Sequence, residues 1–343
     1  MKRRVFLTIL SVALIIVLFS GCGINQNNQS ANSLQAVDTA GNASIASTTT
    51  ENTATNATKY PLTLADAAGT SVTIASKPVK IVSLPLGTCE MLFSLVDKSR
   101  IAAMTHYVDD VNVSNVADEA KGVGTRLDTN AEKIIALQPD LVFVDEWVQQ
   151  DIIKQLRDAK VTVFVLNNVT NVEQEKEMLK LLGKITDQSA QAEETINWMD
   201  EKLKEVSDKL SALKEEDKLT IIDYSEMNST SGKGTNFDDV VTRAGLINPV
   251  SKEGLEGWPQ LSKEMVIKYN PDIICLPSWY YDSNVSFESL SKSIKDDKSL
   301  AGINAVKNNK LISVPYKHIS TTSQYSVLAV EDMAKAAYPE LFK

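Results

Sequence analysis

The sequence predicts an α/β protein built from two Rossmann-like lobes with mostly parallel sheets, joined by one long helix, with a cleft between the lobes. Apolar runs of strand length alternate with amphipathic stretches, one segment recurs at a fixed distance, and a single apolar stripe at helical spacing lies between the two copies. Alternating strands and helices are typical of parallel sheets with right-handed crossovers. A related segment in each half indicates two similar lobes rather than one undivided sheet.

The amino-terminal segment 1–22 is typical of an export signal. Basic residues at its start precede an apolar run over 5–19, which is short for a helix that must cross about 30 Å of hydrocarbon. Ser20 and Gly21 before Cys22 resemble a bacterial lipobox, in which the Cys becomes the lipidated first residue. We therefore expect an extracytoplasmic protein anchored to the bacterial cell membrane through Cys22. The alternative is ordinary signal cleavage that leaves Cys22 unmodified.

Composition separates a tether from a folded body. Residues 23–59 are mostly Asn, Gln, Ser, Thr and Ala, which cannot bury enough apolar surface to become ordered, so they predict a disordered tether. Residues 60–343 are rich in Val, Ile and Leu and are long enough for two lobes. The formal net charge of −9 argues against nucleic acid as a partner, because phosphate binding needs clustered Lys and Arg.

An internal repeat relates the two halves. Residues 132–144 match 264–276, and Trp147 and Trp279 keep the same displacement. Each copy reads as a short amphipathic helix, a Pro-Asp break that stops it, and an apolar run that suits a strand buried in a parallel sheet. The common spacing of Glu, Pro, Asp and Trp favours two related lobes over a chance match.

The remaining elements complete this plan. The predicted lobes cover 60–189 and 218–343, and the connecting helix covers 190–217. Further strands are predicted over 79–84, 100–104, 161–166, 219–224 and 310–314. The helix is indicated by a stripe formed by Ile196, Met199, Leu203, Val206, Leu210 and Leu213. The stripe spans fewer than three heptads, which favours a helix lying across both lobes over a coiled coil.

Two turns that follow predicted strands should face the cleft. Residues 83–93 read as a strand, a tight turn and a helix capped by Thr88, and 229–239 form the counterpart in the second lobe. Ligands of open α/β sheets collect beyond the carboxyl ends of the strands. Gly232 and Gly234 lack the spacing of a phosphate loop, which argues against nucleotide binding.

Four segments carry a resemblance to a known family. They are 80–92, 130–140, 234–239 and 257–264. With them, nearly all of 60–343 resembles the substrate-binding proteins of ABC importers for ferric siderophores, haem and vitamin B12. The resemblance implies two small lobes that close little on the ligand because one rigid helix joins them.

The resemblance also implies a docking surface. In that family each lobe offers a Glu to an Arg-bearing pocket on one permease subunit, and the matching positions are Glu132 and Glu264. The repeat relates the same two residues, as a two-fold symmetric partner requires. The alternative is that both are helix-start acids favoured by the helix dipole.

A set of aromatic residues and one Arg is expected to line the cleft. Trp258 matches an aromatic position that lines the vitamin B12 cleft in relatives, and the others follow strands that should end there. Aromatic faces suit flat ligands, and Arg126 could hold a carboxylate or propionate. Each aromatic could instead pack in the core. The expected ligand-binding residues are Tyr107, Arg126, Trp147, Tyr224, Trp258, Trp279 and Tyr280.

Histidine and cysteine argue against a resident metal. His106 and His318 are the only histidines, and a pair cannot complete a closed site for a bare ion. Either could still cap a metal already held in a macrocycle. Cys89 and Cys275 lie in apolar surroundings and are expected to be buried free thiols rather than a disulfide or a reactive site.

These observations predict the extracytoplasmic substrate-binding component of an ABC importer for a metal chelate, either a ferric siderophore or a cobalamin-type corrinoid. The expected partners are the small-molecule chelate, a permease dimer with its ATPase, and the membrane through the lipid; the protein is expected to be a monomer without a cofactor. Haem uptake and a surface lipoprotein without a transport role are the alternatives. An enzyme is not expected, since no nucleophile elbow or metalloprotease motif is present.

Overall fold

A computed structural model describes residues 57–343, except 226, 281 and 283. The signal segment 1–22, with Cys22, and nearly all of the tether lie outside the described residues. Within the described part of the chain, no helix has the length and apolar character needed to span a bilayer.

The first half of the described chain forms a parallel sheet with helices on both faces. An antiparallel hairpin, β1 (Leu62–Ala65) and β2 (Ser71–Ile74), precedes it. The sheet has the strand order β5-β4-β3-β6-β7 and all its pairs are parallel. Its elements are β3 (Ile81–Ser83), α1 (Leu86–Leu95), β4 (Ile101–Thr105), β5 (Thr125–Leu127), α2 (Ala131–Ala136), β6 (Leu141–Asp145), α3 (Gln150–Asp158), β7 (Val163–Leu166) and α4 (Val172–Thr186).

The second half forms a smaller parallel sheet of the same kind, with the strand order β10-β9-β8. Helix α5 (Ser189–Leu210) leads into it. Its elements are β8 (Ile221–Asp223), α6 (Asn236–Arg243), α7 (Pro249–Lys252), α8 (Lys263–Tyr269), β9 (Ile273–Cys275), α9 (Phe287–Asp296), α10 (Asn304–Lys307), β10 (Leu311–Ile312), α11 (Tyr316–Ile319) and α12 (Ser326–Ala337). The predicted α/β class with mostly parallel sheets is confirmed.

Each sheet separates two apolar clusters, which explains its near-continuous apolar strands. In β6, Phe143 packs in the cluster on one face, whereas Val142 and Val144 pack in the cluster on the other. In β9, Ile273 and Ile274 divide between the two clusters of the second sheet in the same way. Side chains alternate along a strand, so a strand covered on both faces is apolar throughout.

Two helices contribute to the cores of both lobes. On α5, Met199 is buried in a cluster of the first lobe and Val206 in a cluster of the second. On α12, Val327 is buried in the first of these clusters, whereas Met333 is buried in the second. The predicted helix is present, but it ends at Leu210 rather than at residue 217, because i→i+3 bonds tighten its last turn before a charged stretch.

The repeat extends to the ends of the matched helices. Asn130 caps α2 and Ser262 caps α8, each accepting a hydrogen bond from the backbone N–H three residues ahead. Beyond the two helices, Gln138 and Asn270 have positive φ values of 49° and 43°. The matched segments therefore share a capping side chain at the start of the helix, a residue with left-handed backbone angles after its end, and the strand that follows.

The Pro-Asp break in each copy ties the helix to the neighbouring strand. The Asp140 carboxylate accepts the backbone N–H of Lys80 at 2.8 Å, and the Asp272 carboxylate accepts that of Thr220 at 3.0 Å. In return, the backbone N–H of Asp140 donates to the carbonyl of Lys80, and the backbone N–H of Asp272 donates to the carbonyl of Thr220. Each Asp thus fixes the register at the amino end of its sheet.

The start of α1 differs from expectation. The helix begins at Leu86 behind Pro85, and no side chain caps it. Thr88 lies inside the first turn and is not the cap. Proline has a fixed φ angle and no N–H group, so it is well tolerated at the start of a helix. Behind Pro85 the helix begins at Leu86, two residues before the expected cap Thr88.

A polar seam joins the lobes behind the cleft, formed by residues 321–326 against two buried carboxyls of the first lobe. The Glu90 carboxyl, with no exposed surface, accepts hydrogen bonds from Thr321 and Ser323 as well as from the Asn115 backbone at 2.7 Å. Glu175 on α4 is also buried and is hydrogen-bonded to Ser326. Burial raises the pKa of Glu90 above its usual range, and the hydrogen bonds partly oppose that change.

Close packing at the seam gives a first testable prediction. A Cβ atom at Gly87 would lie 2.4 Å from Thr322 Oγ1 and 2.8 Å from its carbonyl oxygen, so Gly87→Ala should displace the seam and lower the free energy of unfolding by about 1–3 kcal/mol. Gly302→Ala is the matched control, because nothing lies within 4 Å of a Cβ there. Urea denaturation measures both; equal stability of the two variants would contradict the seam contact.

Candidate functional site

One cavity of about 480 Å³, here called the inter-lobe cavity, is bordered by residues that follow strands of both sheets. The first lobe contributes 168–170, which follow β7, and the second contributes Asp223, Cys275 and Val314 at the ends of its three strands. This is the edge at which parallel α/β sheets bind ligands. The position of the cavity therefore agrees with the predicted cleft.

A second cavity of about 440 Å³, the first-lobe cavity, lies beyond the carboxyl ends of β3 to β6. Leu84, Thr105, Leu127 and Asp145 line it, one from each of these strand ends. A third cavity of about 530 Å³ lies elsewhere, at the amino ends of β8 and β10, and is lined in part by the carboxyl-terminal 336–341. Of these three cavities, the first two lie at the edge that the fold uses for binding and the third does not.

Tyr224 and Trp258 line the inter-lobe cavity, as the sequence predicts. The Tyr224 hydroxyl is 2.9 Å from Asn228 Oδ1, which holds its ring at the cavity wall. Trp258 is 64% exposed, a large value for an aromatic side chain, and the exposed ring offers its apolar surface to the cavity.

Two glycines support the loop that carries Trp258. Gly257, with φ of 64°, exchanges backbone hydrogen bonds with the 232–233 segment. A Cβ at Gly232 would lie 2.2 Å from the Leu255 carbonyl oxygen. Close packing of the two backbones therefore explains the glycine at 232, and the positive φ explains the one at 257.

Tyr107 lines the first-lobe cavity beside a histidine. Its ring centroid lies 4.2 Å from that of His106, and both side chains are exposed. His106 Nδ1 is 2.9 Å from the Asp128 carboxylate, which lines the same cavity. Tyr107 therefore lies at the carboxyl edge of the first sheet but does not line the inter-lobe cavity.

The other three predicted aromatics have different surroundings. Trp279 packs against Tyr316, a residue of the inter-lobe cavity, with ring centroids 5.2 Å apart. Trp147 is 72% exposed but lines neither cavity, and Tyr280, which is half-buried, also lies outside both linings. Trp147 follows β6 through a turn in which its N–H donates to Asp145, and the turn leaves the ring in solvent.

The structure corrects the expected anion contact of Arg126. Its half-buried guanidinium is already bound by groups of the protein. Its guanidinium donates to both carboxylate oxygens of Asp109, at 2.8 and 2.7 Å, and to the carbonyls of Val123 and Ala120. The bidentate pair raises the pKa of Arg126 and lowers that of Asp109. The group that could grip a ligand carboxylate therefore stabilises the loop before β5 instead.

The described residues offer little for a bare metal ion or a nucleophile. They contain no group of three or more His, Cys, Asp or Glu arranged to hold a metal. His318 Nδ1 lies 2.6 Å from the Asp332 carboxylate on α12. Cys89 and Cys275 are buried free thiols, as predicted, and burial raises the pKa of each to about 12, which disfavours a reactive thiolate.

Several residues of the inter-lobe cavity were missed by the sequence analysis. Phe237 lies at the start of α6, Tyr316 and Ile319 lie on α11, and Thr322 belongs to the seam. Tyr316 follows the end of β10, so the rule that placed Tyr224 could also have found it. The others come from segments with no pattern that points to a cleft.

Asp223 forms the polar part of the floor of the inter-lobe cavity. It accepts hydrogen bonds from the Ser231 N–H and hydroxyl, both at 2.7 Å, and from Thr230 at 2.8 Å. Burial raises the pKa of Asp223, while these bonds act in the opposite direction. The carboxyl is thus satisfied within the loop and orients the hydroxyls around it.

Glu132 and Glu264 occupy equivalent, exposed positions. Each is the second residue of its helix, α2 or α8, and each follows a capping residue. The start of α2 lies just after the carboxyl end of β5, and the loop before α8 pairs with 228–230 beyond the end of β8. Both acids therefore lie at the cleft edge of their own sheet.

Comparison with known proteins gives consistent matches. The family model described as "Periplasmic binding protein" matches residues 81–317. An uncharacterized ABC transporter substrate-binding lipoprotein, YvrC of Bacillus subtilis, is 28% identical over 83% of this chain and 88% of its own. A cobalamin-binding protein of Halobacterium salinarum is 24% identical, over 83% of this chain and 75% of its own.

Solved structures show the same fold. A possible iron-binding protein of Staphylococcus epidermidis superposes with a TM-score of 0.67 at 23% identity, over 77% of this chain and all of that one. MolA of Haemophilus influenzae, solved with molybdate, superposes with a TM-score of 0.65 at 22% identity, over 82% of this chain and 92% of that one.

Proposed function

Because the chain belongs to the periplasmic binding protein family, we propose that it is the extracytoplasmic substrate-binding component of an ABC importer, and that its substrate is a metal chelate, either a ferric siderophore or a cobalamin-type corrinoid. The inter-lobe cavity carries the proposal. It is lined by residues that follow strands of both sheets, and aromatic side chains of the second lobe form part of its wall. Such a wall suits the apolar body of a large organic ligand.

The choice of a chelate over a free ion rests on the lining. The aromatic and aliphatic residues Tyr224, Phe237, Trp258 and Ile319 offer apolar surface and no metal ligands except a phenol. A divalent ion held by the protein alone needs three or four His, Cys or carboxylate ligands, and the described residues provide no such group. A metal already enclosed by its own ligand makes no such demand on the cavity.

Attachment and delivery complete the proposal. A lipid on Cys22 would hold the body at the membrane through the segment before residue 60, and Glu132 and Glu264 would contact the two permease subunits. The equivalent positions of these acids at the two cleft edges support this arrangement. The YvrC relative is named a substrate-binding lipoprotein of the same transporter class.

Fluorescence titration of the purified protein tests the substrate class. Cyanocobalamin, ferrichrome, ferrioxamine B and ferric chloride are added separately, and one chelate should quench tryptophan emission saturably, whereas the free ion should not. Failure of every chelate together with saturable binding of the free ion would overturn the chelate proposal. Mass spectrometry of protein purified from its host identifies the bound solute independently.

Trp258 is the residue whose loss should weaken binding most clearly. Removing its exposed ring by Trp258→Ala should raise the Kd for the chelate about tenfold or more, because a central aromatic anchor contributes apolar area at low entropic cost. Ile267→Ala is the control, since Ile267 is an exposed apolar residue of the same lobe outside both cavities. Equal Kd values for the two variants would remove Trp258 from the site.

A further inference from the structure

The cleft has an electrostatic character that narrows the substrate class. We infer that it selects a metal chelate that carries no net negative charge, such as a neutral or cationic hydroxamate or an amide-bearing corrinoid. This inference rests on the proposed function and adds the charge of the ligand to it. Three observations support it: carboxylates at the first-lobe cavity, the absence of Lys and Arg from the described linings of both cavities, and the pairing of Arg126 with Asp109.

Carboxylates line the first-lobe cavity. Asp128 and Asp145 both border it, and the Asp128 side chain is 72% exposed. His106 Nδ1 lies 2.9 Å from the Asp128 carboxylate, and this imidazole is the single basic side chain among the described residues that line this cavity. A ligand carboxylate entering here would meet negative charge that is not fully offset.

No Lys or Arg is among the described residues that line either cavity. In the inter-lobe cavity the charged group is Asp223, which is satisfied by Ser231 and Thr230. An anionic ligand leaves water to enter a cleft, and it needs a positive partner there to recover the lost hydration. Neither lining supplies one.

The basic residue expected to hold a ligand anion is engaged by another acid. Arg126 is held by Asp109 through two hydrogen bonds, at 2.8 and 2.7 Å. Its guanidinium therefore stabilises a neighbouring loop and could neutralise a bound anion only by breaking this pair.

Matched ligands that differ in one charge provide the test. Cyanocobalamin is compared with its monocarboxylic acid, in which one side-chain amide is hydrolysed, and the neutral N-acetyl derivative of ferrioxamine B is compared with the N-succinyl derivative. In the chelate class that binds, the form with the added carboxylate should have a Kd about fivefold or more higher at low salt. Raising the ionic strength should lower the ratio of the two Kd values towards one, because salt screens exposed charges.

Variants assign the selectivity to the acids. Asp128→Asn combined with Asp145→Asn should reduce the ratio of the two Kd values, whereas Asp158→Asn, an exposed acid on α3 paired with Lys154, should leave the ratio unchanged. Thermal unfolding of each variant confirms that it is folded. If the carboxylate form binds as tightly as the neutral form, the inference is wrong and the proposed function stands. If no chelate binds in either form, the proposed function itself fails.

Discussion

Reversing both acids in Glu132→Lys with Glu264→Lys is expected to abolish solute uptake while the purified double variant binds the chelate with unchanged Kd. Both residues are exposed at equivalent positions of α2 and α8 and line neither cavity. A lysine there would meet the basic pocket expected on each permease subunit, and like charges at a docked surface cost several kcal/mol. Uptake should fall at least about 100-fold.

The control for docking is a third acid of the same kind. Glu288 is the second residue of α9, follows the capping Ser286 and is exposed. Hydrogen bonding at the helix start lowers the pKa of Glu288, as it does that of Glu264. Glu288→Lys therefore reproduces the loss of helix-dipole stabilisation, about 0.3–1 kcal/mol, without touching the proposed surface. Normal uptake by the double variant, or equal loss in the control, would refute docking through this pair.

The second large effect is a dependence of stability on pH that is removed by Glu175→Gln. Burial raises the pKa of Glu175 from 4.5 to about 8, with Asp239 and Glu90 adding to the rise and Ser326 and Arg243 opposing it. Below about pH 4.5 the carboxyl is protonated in both the folded and the unfolded chain, and its contribution is fully present. Between about pH 4.5 and 8 only the unfolded chain releases the proton, so the free energy of unfolding falls as pH rises.

The size of this effect is large enough to isolate. Between these pH values the wild-type protein should lose about 4 kcal/mol of its free energy of unfolding through this group. Glu175→Gln should not show this loss, because glutamine keeps the shape of the side chain and cannot ionise. Urea denaturation at pH 4.5 and pH 8.5 should show nearly equal stability at the lower pH and a more stable variant at the higher. Glu177→Gln, an exposed change on the same helix beside Lys180, should follow the wild type. A wild-type curve parallel to that of Glu175→Gln would contradict the raised pKa.

Much of the fold could be predicted because its signals are local. Strands buried on both faces appear as short apolar runs, and the repeat around Pro139 and Pro271 places a helix and a strand at matching points of each lobe. The apolar stripe of α5 predicts the helix that contributes to both cores. These patterns depend on neighbours in sequence, and tertiary contacts did not override them.

The seam could not be predicted, because its partners are far apart in the chain. Residues 321–326 read as a polar surface loop, and Glu90 and Glu175 read as ordinary helix acids. In the structure Glu90 is hydrogen-bonded to Thr321, and Glu175 to Ser326, and the members of each buried pair are more than 150 residues apart in the sequence. Polar residues carry no periodic pattern that distinguishes a buried hydrogen-bonded pair from an exposed one.

The candidate site was predicted in part for a related reason. Tyr224, predicted because it follows a strand, and Trp258, predicted from the family resemblance, line the inter-lobe cavity, whereas Tyr107 lines the first-lobe cavity. The sequence did not predict the surroundings of Trp147 or Arg126, since a turn leaves the first in solvent and Asp109 holds the second. The strand end fixes where a loop begins, whereas local partners decide where each side chain points.

The two helices that cross between the lobes limit how the protein can open. Drawing the lobes far apart would pull Met199 or Val206 on α5, and Val327 or Met333 on α12, out of apolar surroundings and into water. Such exposure costs about 1.5–3 kcal/mol for each large side chain, so a wide gap approaches partial unfolding. We therefore expect thermal motion to widen the gap between the lobes only slightly, so that release of the proposed solute would need energy supplied by a partner.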